Sequence, residues 1–250
     1  MKFVLSGLIA GSLFALPALA ETRAWTGEGS FSAGVNTGNT ETSDFGLGVK
    51  MTSETQIWRN SGEFIADYGT KNGSRTKNRF AISGQFDRTL NDNLFGFARV
   101  THEQDEFSGF NSRSFLGSGL GWFAFDTEAT KWSLEGGPGI KLDDVKTRQT
   151  TDEQGETVIV PSMTDESLSF IAASRFSHIF SENVRVRNDT SLIYADVSTQ
   201  IGNKTSLTAS LTRSLSARFS VEVRHDTDPP SGFTETDTST RMSLVYSFGG

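Results

Sequence analysis

The chain offers little to a nucleophile-based chemistry. It has no cysteine, which excludes thiolate catalysis, thiolate metal sites, disulfides and lipoprotein acylation. Its three histidines are His102, His178 and His225. His225 lies in the run RHDTD at 224–228, with Asp226 and Asp228 close by. Neighbouring residues of a strand point to opposite faces, so His225 and Asp226 cooperate poorly as a catalytic pair. His178 and His225 fall on the apolar register, at strand ends. Five carboxylates, Asp143, Asp144, Asp152, Glu153 and Glu156, crowd one polar stretch. Such a group can bind Ca²⁺ or bridge to lipopolysaccharide through divalent ions, but it lacks the spacing of an EF-hand, and a solvated acidic loop is the favoured reading. No metal or cofactor is expected.

The strongest constellation is a set of charges of one parity. Arg175, Arg185, Arg187, Arg218, Arg224 and Arg241 alternate with apolar residues. Glu63, Asp67, Asp87, Glu103, Glu135 and Glu222 do the same. If that parity faces an enclosed lumen, opposed charges can form a constriction that orients a solute and sets ion preference. They can instead form a salt-bridged plug, the reading slightly favoured because a narrow barrel is largely filled by its own long side chains. Both readings stand on the sequence.

The elements that would hold these charges are strands. Phe45, Leu47, Val49 and Met51 alternate with polar residues, as do Phe80, Ile82, Gly84 and Phe86. Trp132, Leu134, Gly136, Pro138 and Ile140 repeat the pattern, and so do Phe219, Val221 and Val223. No segment has a helical period, and after the first twenty residues no apolar run is long enough for a membrane-spanning helix. Two stretches break the rule. Phe95 and Phe97 share parity with Arg99, Thr101 and Glu103, and residues 115–125 are apolar on both faces, as a bulge would make them. Gly117, Gly119, Gly121, Gly136, Gly137 and Gly139 can make room for large neighbours.

Composition points the same way. Only 35% of residues are hydrophobic, yet there are 20 Phe and 25 Gly, which suits a barrel that is apolar outside and wet inside. The net charge of −7 argues against a nucleic-acid partner. The start, MKFVLSGLIAGSLFALPALA, has Lys2, a short apolar stretch and an A-x-A site at Ala18 and Ala20. It reads as a signal peptide, residues 1–20, cleaved before Glu21. Between the alternating runs, tight breaks at 89–93, 126–131, 180–183 and 214–218 interleave with longer polar breaks at 36–43, 69–77, 105–113 and 226–237. The longest lies at about 143–165. Short turns at one end and long loops at the other predict an all-β, antiparallel up-and-down transmembrane β-barrel of about 12 strands over 21–250, with 143–165 an extracellular loop. The last strand carries Met242, Leu244, Tyr246 and Phe248 on the lipid parity. This resembles the C-terminal signal read by barrel-assembly machinery, although two glycines follow the aromatic.

NTGNT at 36–40, DEFSGFNSRSFLGSGLGW at 105–122 and LEGGPGI at 134–140 resemble the YdiY-like family of salt-induced outer-membrane proteins, a domain of unknown function. The resemblance covers nearly all of the chain after residue 20. It implies a barrel in the cell outer membrane and brings no catalytic residues. The expected role is a small porin-like pore with a charged lumen. The alternative is a closed structural or stress-responsive envelope barrel whose loops contact lipopolysaccharide or another partner. A hydrolase is the distant third.

Overall fold

A computed structural model describes residues 24–36, 42–151 and 157–249. The expected signal peptide, with Ala18 and Ala20, lies outside the described residues, as do Asp152, Glu153 and Glu156. Twelve strands close a barrel: β1 (Ala24–Asn36), β2 (Thr42–Glu54), β3 (Trp58–Lys71), β4 (Ser74–Thr89), β5 (Leu94–Asp105), β6 (Phe110–Asp126), β7 (Thr130–Val145), β10 (Met163–Ser181), β11 (Val184–Ala195), β12 (Gln200–Ser210), β13 (Leu215–Asp226) and β14 (Thr236–Gly249). Each pairs antiparallel with its neighbours in sequence, and β14 returns to β1. A separate hairpin, β8 (Arg148–Thr151) and β9 (Thr157–Val160), stands between β7 and β10.

The alternation sorts side chains by solvent. Outward positions are large and apolar yet bare: Leu168 is 81% exposed and Met242 74%. On a water-soluble sheet such residues would be covered, so this face is the lipid face of a transmembrane barrel. All four tryptophans, Trp25, Trp58, Trp122 and Trp132, lie near the short-turn end, and the three whose exposure is largest are Trp25, Trp58 and Trp122. They form an aromatic girdle of the kind that marks a membrane boundary. Arg88 lies over the ring of Trp58 at 5.7 Å, and His178 sits between Phe176 and Phe180 in the same belt. One group interrupts the apolar face. Asn188, Thr190, Asn203 and Thr205 meet across β11 and β12 and hydrogen-bond one another, with Asn203 donating to Thr190 at 2.7 Å and Asn188 to Thr205 at 2.8 Å. The mutual bonds lower the cost of placing amides there.

Two expectations need correction in detail, and the bulge expected within 115–125 is found. The break at 69–77 is no loop. β3 and β4 run through it and turn on Asn72 and Gly73 alone, both at positive φ (49° and 78°), the backbone of a type I′ hairpin. Polar residues on both faces hid these strand ends, because a strand standing beyond the membrane needs no apolar face. For the same reason the long loop is shorter than 143–165. β7 reaches Val145 and β10 begins at Met163, and the stretch between holds the β8–β9 hairpin. In β6 the register shifts between Phe123 and Phe125, so Phe115 and Phe123 point inward while Leu116, Leu120, Trp122 and Phe125 point outward.

Candidate functional site

The lumen is the only enclosed environment the described strands create, and its two sides differ. On the side of β5, β6 and β10, Phe95, Phe97, Phe115 and Ile171 are almost fully buried, with Phe123 and Ile193 packed on them. Phe95 and Phe123 have ring centroids 4.6 Å apart. The glycines of β6 and β7 make this possible. A Cβ on Gly121 would stand 2.1 Å from the Phe95 ring, and Cβ atoms on Gly117 and Gly139 would stand 2.5 and 2.6 Å from the Phe115 ring. The aromatic parity shared with Arg99 thus has a physical meaning: bare backbone on one wall seats rings from the next, forming a wedge that fills this half of the lumen.

The opposite side, β1 to β3 and β12 to β14, is lined by small polar residues. Ser30, Ser32, Gly46, Gly48, Ser220, Ser239 and Ser243 face a cavity of about 60 Å³. A larger cavity of about 570 Å³ opens toward the long-loop end, and the two share Glu63 and Ile65 as walls. Charges alternate across neighbouring strands here. Glu63, Lys50 and Glu28 are register partners across β3, β2 and β1, and Asp189, Lys204 and Glu222 across β11, β12 and β13. Opposite charges directly across a ladder favour the pairing.

The charges of the single parity meet in clusters. Glu135 accepts from Arg99 at 2.6 Å and from Arg175, whose other nitrogen donates to Gln85 at 2.6 Å. Gln85 donates to Asp87 at 2.7 Å. Asp67 lies between Arg79 and Arg241, at 3.5 and 2.7 Å. Arg79 also holds Glu103, at 2.5 Å, and Glu103 meets Arg224, which reaches Glu222 at 3.0 Å. Arg218 pairs with Glu28 at 2.8 Å, and Arg187 with Asp189 at 2.7 Å. Arg185 shares their parity at the foot of β11. Higher up, Arg113 joins Asp143 (2.9 Å) and Asp226 (2.7 Å), while Lys141 reaches Asp143 at 3.2 Å.

Loops cover part of the long-loop mouth. Pro230 and Phe233, from the β13–β14 connection, pack on Gly109, where an added Cβ would meet Pro230 at 2.5 Å. The ammonium of Lys146 donates to the carbonyls of Asp105, Glu106 and Ser108 at 3.2, 2.6 and 2.8 Å. Glu106 in turn accepts from Asn78 and Arg75. Its carboxyl is held below the usual range, first by the Asn78 hydrogen bond and then by the Arg75 guanidinium.

Among the described residues, the chemistry weighed for histidine is not assembled, and of the acidic stretch only Asp143 and Asp144 are described. His225 faces outward and bonds Thr236 at 2.9 Å, while Asp226 faces inward to Arg113. His102 bonds Ser114 and His178 bonds Thr130, both at 2.8 Å and both on the outer face. Asp143 is engaged by Arg113 and Lys141, and Asp144 takes the opposite parity, so the two do not form one calcium cage. No group of three potential metal ligands occurs among the described residues.

A family model described as "Protein of unknown function, DUF481" matches residues 29–248. No curated protein matches the chain. Among solved structures, the NanC porin is 14% identical, with 89% of this chain and 99% of that one covered and a TM-score of 0.48. An outer membrane channel from Pseudomonas putida F1 is 11% identical, covering 96% and 99%, also at 0.48. The translocator domain of the autotransporter NalP from Neisseria meningitidis is 12% identical, covering 90% and 88%, at 0.46.

Proposed function

The chain belongs to the DUF481 family of proteins of unknown function, and we propose that it is a small outer-membrane channel for polar solutes. Its short turns face the periplasm and its long loops the exterior. The observation that carries this reading is a pair of lumenal cavities, a wide one at the mouth and a small inner one, that are both lined by Glu63 and Ile65. Serine and glycine leave space at the inner one, while the wedge of Phe95, Phe97, Phe115 and Ile171 occupies the opposite wall. The path is therefore eccentric and narrow. Its charges alternate in sign from strand to strand, so the net field is weak and solutes of either sign are admitted.

Single-channel recording in planar bilayers tests this. Small, regular conductance steps with slight ion preference are expected. Folded protein that stays silent at all potentials overturns the channel. That outcome favours the second reading, a closed envelope barrel whose loops contact lipopolysaccharide, for which the packing of Pro230 and Phe233 over Gly109 speaks.

A further inference from the structure

The barrel closes unevenly where its first and last strands meet. The β1–β14 ladder holds six residue pairs, from Thr26↔Gly249 to Phe31↔Leu244, whereas every other neighbouring pair in the barrel holds at least ten. Both strands continue past Phe31 and Leu244. β1 stays paired to β2 as far as Asn36↔Thr42, and β14 is paired to β13 from His225↔Thr236 onward. Extending the register would set Ala33 against Met242 and Gly34 against Arg241. Neither pairing is made, and these stretches have no other strand partner on that side among the described residues.

At the short-turn end the same seam is tight. The Phe248 ring covers Gly27, and a Cβ on Gly249 would stand 2.2 Å from the Trp25 carbonyl oxygen. Beside the unzipped part the small cavity is lined by Ser32 on one strand and by Ser239, Arg241 and Ser243 on the other. Outside it, Phe31 and Met242 are 51% and 74% exposed to the lipid side.

Open sheet edges are not tolerated against hydrocarbon, but irregular backbone is tolerated where it lines water. Two unpaired edges backed by a serine-lined cavity meet that condition. We infer that the long-loop half of the β1–β14 seam is a lateral portal, and that its ligand class is a single-chain amphiphile. The polar head enters between Ser32 and Ser243, while the tail stays beside Phe31 and Met242 in the outer leaflet. A purely apolar solute does not fit, because the inner wall holds serines and the Arg241–Asp67 pair. The inference rests on the membrane-spanning reading but not on conduction.

The test uses the full chain, whose lack of native cysteine makes introduced pairs unambiguous. In vesicles, Phe31→Cys/Leu244→Cys should oxidise to a disulfide, and Ala33→Cys/Met242→Cys should not, closing only with a flexible bis-maleimide. The ligand probe is lysophosphatidylethanolamine carrying a photoreactive group on its head. Irradiation should attach it to lumen-facing positions such as Ser32 and Ser243, and bridging the 33/242 pair should abolish that attachment. Equal oxidation of both pairs overturns the portal, as does attachment confined to outward residues. Cross-links between two chains at position 33 overturn it in favour of strand addition by a second copy. Boiling-dependent gel mobility reports insertion separately: its absence sinks the membrane reading itself, whereas an inserted barrel without lumenal labelling sinks the portal alone.

Discussion

The ring of Phe248 lies over the bare backbone of Gly27 across the β1–β14 seam, so close that a methyl group on Gly27 would stand 2.2 Å from its Cε2 atom. The terminal aromatic thus packs into a space that only glycine leaves.

We predict that this packing governs assembly. Gly27→Ala should lower the yield of folded barrel, consistent with an overpacking cost of about 1–3 kcal/mol. Phe248→Ala should lower insertion too, while leaving conductance per inserted molecule unchanged. Phe248→Tyr should be nearly neutral. Because the alanine variants relieve each other's clash, the double variant should lose less than the sum of the two. The fraction that resists unfolding in cold detergent gels measures each. Normal insertion of Phe248→Ala would reduce the run Met242, Leu244, Tyr246 and Phe248 to an ordinary strand end.

Buried and half-exposed ion pairs should differ in worth. Glu135 is 6% exposed and meets two guanidinium groups. Glu135→Gln leaves both cations under-compensated, with an expected loss of about 3–5 kcal/mol. Asp189 and Arg187 have side chains 35% and 39% exposed, so Asp189→Asn should cost no more than about 1 kcal/mol. Urea unfolding of the two variants in detergent gives the comparison. Equal losses would contradict the assigned burial.

Trimming the wedge should trade stability for current. Phe95→Ala removes a ring that is 2% exposed and should cost about 3–5 kcal/mol. The space gained lies inside the lumen, so the single-channel step should grow. An unchanged step in an inserted Phe95→Ala barrel would place the path's narrowest point elsewhere.

Arg218 tests the electrostatics of the polar side. Its partner Glu28 is a register partner of Lys50. Arg218→Glu should shift the reversal potential in a salt gradient toward cation preference. A silent barrel that merely unfolds more easily would instead mark the charges as a structural plug.

Acid should loosen the mouth. The Glu106 carboxyl is held below its ordinary value, so its tie to Asn78 and Arg75 is fully present above that value. The tie is lost as pH falls through the lowered one. A thiol introduced by Phe107→Cys should therefore react faster per thiolate with a water-soluble maleimide after acidification, read as label incorporated at each pH and divided by the thiolate fraction. In a Glu106→Gln background the profile should flatten. A pH profile identical in both backgrounds would show that Glu106 does not tie the loop.

Much of the fold was legible because two solvents impose two-residue periodicity. Arg185 and Arg187 opposite Val184 and Val186 reveal a face without any knowledge of partners. The partners were not legible. That Glu135 is shared by Arg99 and Arg175 depends on which strands curve together around the lumen. Phe95 and Phe97 announced their face through Arg99, but Gly121, which receives the Phe95 ring, sits on the next strand. The Asn72–Gly73 turn was legible from its residue types, but the strand ends beside it were hidden by having water on both sides. The early end of the β1–β14 ladder had no local signature, since it arises where residues more than two hundred positions apart meet.

The wedge has a mechanical consequence. By filling the half of the lumen beside β5, β6 and β10, it leaves the small inner cavity against β1, β2 and β14. Whatever passes that inner level travels along the wall that contains the shortest ladder. Lateral pressure from the surrounding acyl chains presses on that same wall. The barrel then behaves less like a rigid tube than like a sleeve fastened along half its length, and its throughput should follow the thickness and tension of the bilayer around it.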